Sequence, residues 1–371
     1  MCSSDLKMLK KKNIVIVGGG NVGTQLAVHC AEKKHNVTVY TSRPKEFKTT
    51  LFAVDENGAT IRSGEIRKAT SDAKEAFANA DIIFVTVPAN HMERVARKIE
   101  PFVEVGTKIG IVPGVGGSEF VFSECRSKGG IVFGLQRVPS VARIVTYGQS
   151  VCVAGYRKEL SVAAVDEADT EECCELVSEL LEMPCVGLPN YLNILLLPSN
   201  PILHTTRLSV LFKDYKRGIT YDYNPLFYEE WNDESSQLLL ACDEELQKIC
   251  SRLKVFDLSH VASLKKHYES KNAKDLTNKL KSIESLKGLR SPVIKMGDKY
   301  VPDFSSRYFV SDFPFGLAIL IQVAKLAGVK VPAMTKVYEW FEELDIECNK
   351  FEFEKYKIND CEDLKNFYLS K

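Results

Sequence analysis

The sequence predicts a doubly wound, mostly parallel α/β domain over residues 1–187, followed by an all-helical domain over residues 188–371. Three observations carry this expectation. β-Branched runs alternate with helix-like segments through the first half, a glycine-rich turn closes the first of those runs, and after about residue 185 strands give way to segments of 3.6-residue periodicity. Length agrees, because at 371 residues one undivided core would exceed the size, roughly 250–300 residues, at which cores stop growing.

In chain order, Asn13 to Val17 is a short β-branched run that ends in Gly18-Gly19-Gly20-Asn21-Val22-Gly23, and Thr24 to Lys33 continues with helical composition. Val37 to Thr41 is the next strand. Asp81 to Val87 is apolar with few breaks up to Pro88, as suits a strand covered on both faces, and Ala89 to Ile99 reads as its crossover helix. Lys108 to Val112, Gly130 to Leu135 and Ser150 to Ala154 complete the sheet. In the second half, Leu239, Cys242, Leu246, Ile249 and Leu253 recur at spacings of three and four, which places one apolar stripe on a helix from about Asp233 to Leu253. Pro314 to Ala327 is apolar nearly all round and reads as a buried helix stopped by Gly328. The Lys-rich stretch Asp257 to Leu289 reads as an exposed helical pair with a solvated charged face.

Composition narrows the function. With 49 basic and 49 acidic residues the chain has no general field for nucleic acid or an anionic membrane, so an anionic ligand must be met by local groups. Met1 to Lys12 is charged and lacks the apolar core of a secretory signal, and the apolar run near Ile194 to Leu197 is interrupted by Pro198 and Pro201. Eleven cysteines are scattered without a CxxC pair, which fits reduced thiols in a cytoplasmic protein and argues against a disulfide framework or a metal centre. The composition is compatible with a homodimer but does not select one.

The turn Gly18-x-Gly20-x-x-Gly23 lies between a strand and a helix, the context a dinucleotide needs. One glycine makes the tight turn, one lets the backbone approach the pyrophosphate, and one allows strand and helix to pack closely, so this is the signature of a Rossmann domain. At the end of the second strand, Tyr40-Thr41-Ser42-Arg43-Pro44 offers two hydroxyls and a guanidinium in place of the ribose-binding acid, which favours the 2′-phosphate of NADP and leaves NAD open. The candidate cofactor residues are Gly18, Gly20, Asn21, Val22, Gly23, Thr41, Ser42, Arg43 and Pro88.

Six histidines occur. His29 and His35 flank the first helix, His260 and His267 sit in the charged pair, and His91 opens a crossover helix and ranks second. His204 differs: in Ser199-Asn200-Pro201-Ile202-Leu203-His204, Asn200 reads as a helix N-cap and Pro201 as the first helical residue, so His204 projects from the opening turns after the domain junction. A second constellation, Ser305 to Leu317, carries Arg307 and Asp312 five positions apart on the approach to the buried helix; blandly read, Asp312 caps that helix and Arg307 pairs with it or with solvent.

Together these residues, in this order, resemble the octopine/nopaline (opine) dehydrogenase family, which joins a Rossmann domain to a helical domain of the 6-phosphogluconate dehydrogenase type. Pro113-Gly114-Val115-Gly116-Gly117 resembles the family's PGxGG turn. Leu135-Gln136-Arg137-Val138-Pro139-Ser140-Val141-Ala142-Arg143 resembles its strand with a VP-type turn followed by Arg, and Gly328-Val329-Lys330-Val331-Pro332 its connection after the last core helix. The resemblance spans about residues 13 to 340 and implies an NAD(P)H-dependent reductive condensation: an amino acid amine and a 2-oxo acid form an imine, which hydride reduces. By the same resemblance His204 is the acid/base, Asp312 its partner and Arg307 a clamp for a substrate carboxylate, with Arg143 and Gln136 as further substrate candidates. Arg207, one turn from His204, is a further carboxylate candidate with a weaker case than Arg143, since it matches no motif and reads equally as a solvent-facing residue. Imidazole suits proton transfer near neutral pH, a neighbouring carboxylate favours its charged form while the helix N-terminus opposes it, and Arg fixes the orientation of a planar carboxylate better than Lys.

Thr205 stands where many relatives carry Pro, Ser311 where an acid is common, and the ribose site lacks its acid; these departures leave the substrate open. Two other readings stand beside this one. A ketopantoate reductase or glycerol-3-phosphate dehydrogenase type of ketoreductase would use a central lysine, and none is placed like His204. A non-catalytic NADP-binding sensor would have no need of the three groups together.

Overall fold

In the computed structural model, which describes residues 11–198 and 200–369, the first half of the chain supplies twelve strands. They are β1 (Asn13–Val17), β2 (Asn36–Tyr40), β3 (Thr50–Val54), β4 (Thr60–Glu65), β5 (Lys68–Thr70), β6 (Ile82–Val85), β7 (Lys108–Ile111), β8 (Ile131–Leu135), β9 (Ser140–Thr146), β10 (Ser150–Tyr156), β11 (Leu160–Ala164) and β12 (Cys185–Gly187). The charged segment before Lys11, and Ser199 ahead of the His204 helix, lie outside the described residues.

Eight of the strands form the main sheet, in the order β12-β11-β8-β7-β6-β1-β2-β5, parallel except where β11 meets β8. From β1 the chain moves to β2 on one side and reaches β6 on the other, so the winding reverses at β1 and β6, and the crevice beyond their C-terminal ends is where such sheets bind ligands. β1 and β6 are buried along nearly their whole length, as their unbroken apolar runs predict.

The expectation for Ser150 to Ala154 is corrected. β10 is not a strand of the doubly wound sheet; it belongs to a second, four-stranded sheet ordered β4-β3-β10-β9. A tight turn after β9 makes it a hairpin with β10, and β10 in turn pairs parallel with β3. Leu51, Ala53, Val151 and Val153 from this sheet pack into one core with Leu26, Ala27, Cys30 and Ala31 of the helix Asn21–Glu32. The second sheet therefore covers the outer face of the nucleotide helix and carries the β9–β10 turn to the mouth of the crevice.

The second half is helical, with one exception to the all-helical expectation: Val293–Met296 and Lys299–Pro302 form a small antiparallel hairpin. The helix Asp233–Arg252 buries Leu239, Cys242, Leu246 and Ile249 as the spacing predicts, and Asn232 caps it by accepting from the Ser235 N–H. The stretch from Asp257 to Leu289 forms the helices Leu264–His267 and Ala273–Ser282, capped by Ser263 and Asn272. Pro314 to Ala327 is not one α-helix. Its first turn, Phe313–Leu317, is a π-turn in which the Leu317 N–H reaches back five residues to the Asp312 carbonyl at 2.9 Å, and only Ala318–Leu326 is α-helical. Arg307–Leu326 has the length and composition of a membrane span, yet Phe309, Phe313, Leu317, Leu320 and Val323 are buried within the helical half.

The C-terminal helix Cys361–Leu369 returns to the nucleotide half. Tyr368 donates to the Glu119 carboxyl at 2.7 Å, the Phe367 carbonyl accepts from Arg126 at 3.2 Å, and the Phe367 ring stacks on Phe120 at 4.3 Å. Glu119 is fully buried, and desolvation pushes its pKa up to about 8 against the lowering effect of the Tyr368 hydrogen bond.

Candidate active site

The nucleotide cradle is made of backbone. Gly18 has φ +109°, and a Cβ on Gly23 would lie 1.9 Å from the Gly18 carbonyl oxygen, so neither position admits a side chain. A Cβ on Gly20 would meet nothing within 4 Å, so open space lies over the turn at the N-terminus of the helix Asn21–Glu32, as a diphosphate requires. Val22 packs beside the helix core, the Asn21 side chain accepts from the Ile144 N–H of β9 at 2.8 Å, and Pro88 opens the helix Ala89–Ile99 at the end of β6.

The second-strand end is more elaborate than its sequence. The Thr41 hydroxyl lies 3.0 Å from the Tyr147 hydroxyl, and the Arg43 guanidinium sits 3.5 Å over the Tyr147 ring, which comes from the β9–β10 turn. Ser42 follows Thr41 on this exposed corner. The expectation that no carboxylate stands here needs correction, because the turn Pro44–Glu46 brings the Glu46 carboxylate to 3.5 Å from Arg43. Phe47 and Tyr147 both lie against Gly19. No sequence pattern marks Tyr147, which lies about a hundred residues from the strand it serves.

In the helical half, His204 stands on the helix Asn200–Leu211, with Asn200 and Pro201 at its start. The Thr205 and Thr206 hydroxyls bond back to the carbonyls of Pro201 and Ile202, each at 2.6 Å, which satisfies both inside the core. His204 is 3 % exposed, its Nδ1 lies 2.8 Å from the Asp312 carboxylate, and its Nε2 lies 3.1 Å from the Tyr228 hydroxyl. The Tyr308 ring packs on it at 4.5 Å. Burial lowers the imidazole's pKa, Asp312 opposes that shift and Arg307 reinforces it, so the net direction is downward and the ring is neutral at pH 7. The network then assigns the proton: Nδ1–H donates to Asp312, and Nε2 accepts from the Tyr228 hydroxyl, whose own pKa burial drives well up.

Asp312 thus pairs with His204 and not with Arg307. Arg307 is exposed, with its guanidinium 5.1 Å over the Tyr308 ring, close enough to act on both His204 and Tyr308. Arg143 is an exposed residue of β9 whose charge also reaches Tyr308; neither it nor Arg307 lines the cavity at Asp312. Gln136 donates to the Asn193 carbonyl at 3.0 Å and lines a cavity of about 150 Å³ that it shares with the Pro113–Gly117 turn, Asn200, Ser311 and Asp312. His204 is sunk one layer behind that cavity and Asp312 stands at its wall. His91 is exposed on the crossover helix and does not line it.

Arg207 does not face solvent. It is 2 % exposed and donates to the carbonyls of Glu230 at 2.8 Å and Phe227 at 3.3 Å, so it braces the loop that holds Tyr228, and burial pushes its pKa down to about 10. Tyr228 itself is not among the residues expected from the sequence, since a tyrosine in a loop carries no motif.

Residues 187–344 match the model for the alpha-helical domain of NAD/NADP octopine/nopaline dehydrogenases, and residues 13–117 match the N-terminus of NAD-dependent glycerol-3-phosphate dehydrogenases. A tauropine dehydrogenase from Arabella iricolor is 26% identical over 366 residues, covering 89% of this chain and 91% of that protein. An opine dehydrogenase from Haliotis discus hannai is 26% identical over 366 residues, covering 90% of each. A solved structure of octopine dehydrogenase with NADH and L-arginine superposes with a TM-score of 0.81 at 22% identity, over 96% of this chain and 98% of that one. The glycerol-3-phosphate dehydrogenase match is confined to the nucleotide half, whereas the match that includes His204 and Arg307–Leu326 is to the opine enzymes. The two halves are thus matched in order, the helical half by the octopine/nopaline dehydrogenase model, and over most of its length the chain is similar to tauropine and opine dehydrogenases.

Proposed function

We propose that the protein joins the amine of an amino acid to the carbonyl of a 2-oxo acid and reduces the resulting imine, with residues 1–187 binding the cofactor and residues 188–371 supplying the proton chemistry. The observation that carries this reading is the buried imidazole of His204, held between Asp312 and Tyr228 behind a cavity walled by Asp312, with the charges of Arg307 and Arg143 both acting on the neighbouring Tyr308. Arg307 and Arg143 each hold one substrate carboxylate, which aligns the amine with the carbonyl. His204 starts neutral with its lone pair on Nε2. Through the Tyr228 hydroxyl it takes a proton from the attacking amine and gives it to the former carbonyl oxygen, Asp312 stabilising the imidazolium meanwhile, and a second amine proton carried the same way lets that hydroxyl leave as water. A bound nicotinamide cofactor supplies the hydride that reduces the C=N bond.

NADPH is the favoured reductant in this reading. Arg43 is held rigid on Tyr147 with Thr41 and Ser42 beside it, and a 2′-phosphate outcompetes the single exposed carboxylate of Glu46 for the guanidinium. Charge balance and the free thiols of the ten described cysteines fit a cytoplasmic enzyme. A matrix of amino acids against pyruvate, glyoxylate and 2-oxoglutarate, read as loss of NADPH or NADH absorbance, tests the proposal. A pair that consumes reductant only when both partners are present supports it. Consumption with the oxo acid alone makes the protein a ketoreductase, and tight cofactor binding without turnover for any pair makes it a sensor.

A further inference from the structure

Where the nucleotide half meets the loops of the helical half, a hollow of about 230 Å³ is lined by Arg137 and Arg157 on one side and by Leu197, His260 and His267 on the other. It adjoins the smaller cavity at Asp312, with which it shares Gln136, Arg137, Arg157 and Leu197 as a wall. Among the described residues neither arginine has an acidic partner within ion-pair distance, and Glu159, at the same hollow, pairs with neither. The Arg157 side chain, exposed at the rim of the hollow, donates to the Val138 carbonyl at 2.9 Å. Arg62 is shared by Glu32 and Glu182 and Arg126 is clasped by Asp166, while the buried Arg207 is satisfied by the carbonyls of Phe227 and Glu230 and by the Ser235 hydroxyl; Arg137 and Arg157 instead line a cavity. Desolvation disfavours the charged form of both cations in the hollow, and the charge of Arg137 further disfavours that of Arg157. The same two charges lower the pKa of His267, after the larger effect of its own burial.

Uncompensated like charges converging on a cavity are relieved by an anion, and a guanidinium pair suits a carboxylate or sulfonate with forked hydrogen bonds. The condensation proposed above brings two carboxylates, one from each reactant, and Arg307 and Arg143 are already there for them. We propose that Arg137 and Arg157 form a third anion site, so that one of the two reactants carries a further acidic group beyond the reacting carbon: a dicarboxylic amino acid or a dicarboxylic 2-oxo acid. The inference rests on the condensation for the identity of the reactants, whereas the anion site itself rests on the hollow.

The test is calorimetric titration of the NADPH-loaded protein with four probes: L-glutamate, L-alanine, 2-oxoglutarate and pyruvate. The expected result is at least tenfold tighter binding of glutamate over alanine, or of 2-oxoglutarate over pyruvate, and whichever contrast appears identifies the reactant with the extra acid. Arg137→Gln and Arg157→Gln should each weaken the preferred diacid about tenfold, the scale of one charge-assisted contact, while NADPH binding reports that the variants are folded. Arg137→Glu should reverse the selection towards a lysine side chain. Four probes binding within threefold of one another, or a preference that survives in the double variant, overturns the site. Turnover by the same preparation separates the two ideas: condensation without acidic preference removes the anion site alone, and diacid binding without turnover of any pair removes the condensation and leaves the site standing.

Discussion

The nucleotide turn and the His204 cluster are built on opposite principles. The turn is six consecutive residues whose function resides in main-chain geometry, where three glycines keep side chains out and leave N–H groups facing open space. The cluster is made of side chains from Arg143, His204, Tyr228, Arg307 and Asp312, whose positions are set by a strand, a helix, a loop and a π-turn that meet only after folding. A backbone site is therefore tolerant of chemistry and intolerant of volume, and a side-chain site is the reverse. Substitutions in the two regions should separate cofactor binding from turnover.

The largest effect is expected at the cluster. His204→Ala removes the proton carrier and should lower kcat by roughly 10²–10⁴, the usual contribution of general acid–base catalysis, while cofactor affinity stays near wild type. Stopped-flow or steady-state kinetics with cofactor titration by fluorescence would check both halves, and unchanged kcat removes His204 from the mechanism. At the turn the reverse holds. Gly23→Ala places a methyl group 1.9 Å from the Gly18 carbonyl oxygen, so strand and helix must separate. The Kd for cofactor should rise at least tenfold, and the protein should lose on the order of 1–3 kcal/mol of stability, seen in the denaturant midpoint. Normal cofactor affinity in Gly23→Ala would show that the turn is not the diphosphate site.

Two smaller changes probe the residues that link these regions to their neighbours. Arg43→Glu should shift the ratio of kcat/KM for NADPH over NADH towards NADH by about tenfold or more, with little change in kcat; an unaltered ratio refutes the phosphate reading. Tyr228→Phe removes the hydrogen bond that stabilises the neutral Nε2 of His204. The imidazole pKa should rise, so the acid limb of the kcat/KM profile should move to higher pH, and histidine-labelled NMR would report the same shift without reference to turnover.

The same contrast explains what the sequence revealed. β1, the glycine turn and β6 were legible because their signals are local: a β-branched run, a spacing of glycines, an unbroken apolar stretch. The stripe from Leu239 to Ile249 was legible for the same reason. The second sheet was not, since β3 finds its partner β10 about a hundred residues away and its alternating burial depends on the helix it covers. His204 stood out by its place in the opening turns of a helix and Arg307 and Asp312 by their spacing, but their joint role came through resemblance to a family, because nothing in that spacing says that a residue in one helix will meet another 108 positions later. Arg207 misled for a physical reason: its partners are carbonyl oxygens, which every residue possesses and no sequence pattern marks. Tyr147 and Tyr228 carry polar tips at ends of loops, and their importance lies wholly in where the loops land.

The contact that joins the two regions is the subtlest to test. Glu119 follows the Pro113–Gly117 turn and is buried against Tyr368 of the C-terminal helix, with one carboxyl oxygen bonded at 2.7 Å and the other without a partner. Its pKa stands at about 8 in the fold against an ordinary carboxylate value when unfolded. The native state therefore holds the proton more tightly than the unfolded state, so this group's stabilising contribution is complete below pH 4.5, the ordinary carboxylate value, and declines as pH rises through about 8. Glu119→Gln is uncharged at every pH and keeps an acceptor for the Tyr368 hydroxyl. Relative to wild type it should gain stability steadily from pH 5 to pH 9, by a few kcal/mol at most. Urea midpoints at pH 5, 7 and 9 would trace the divergence, and parallel curves for the two proteins would mean that Glu119 is ionised in the fold, with the C-terminal helix docked by its aromatic contacts alone.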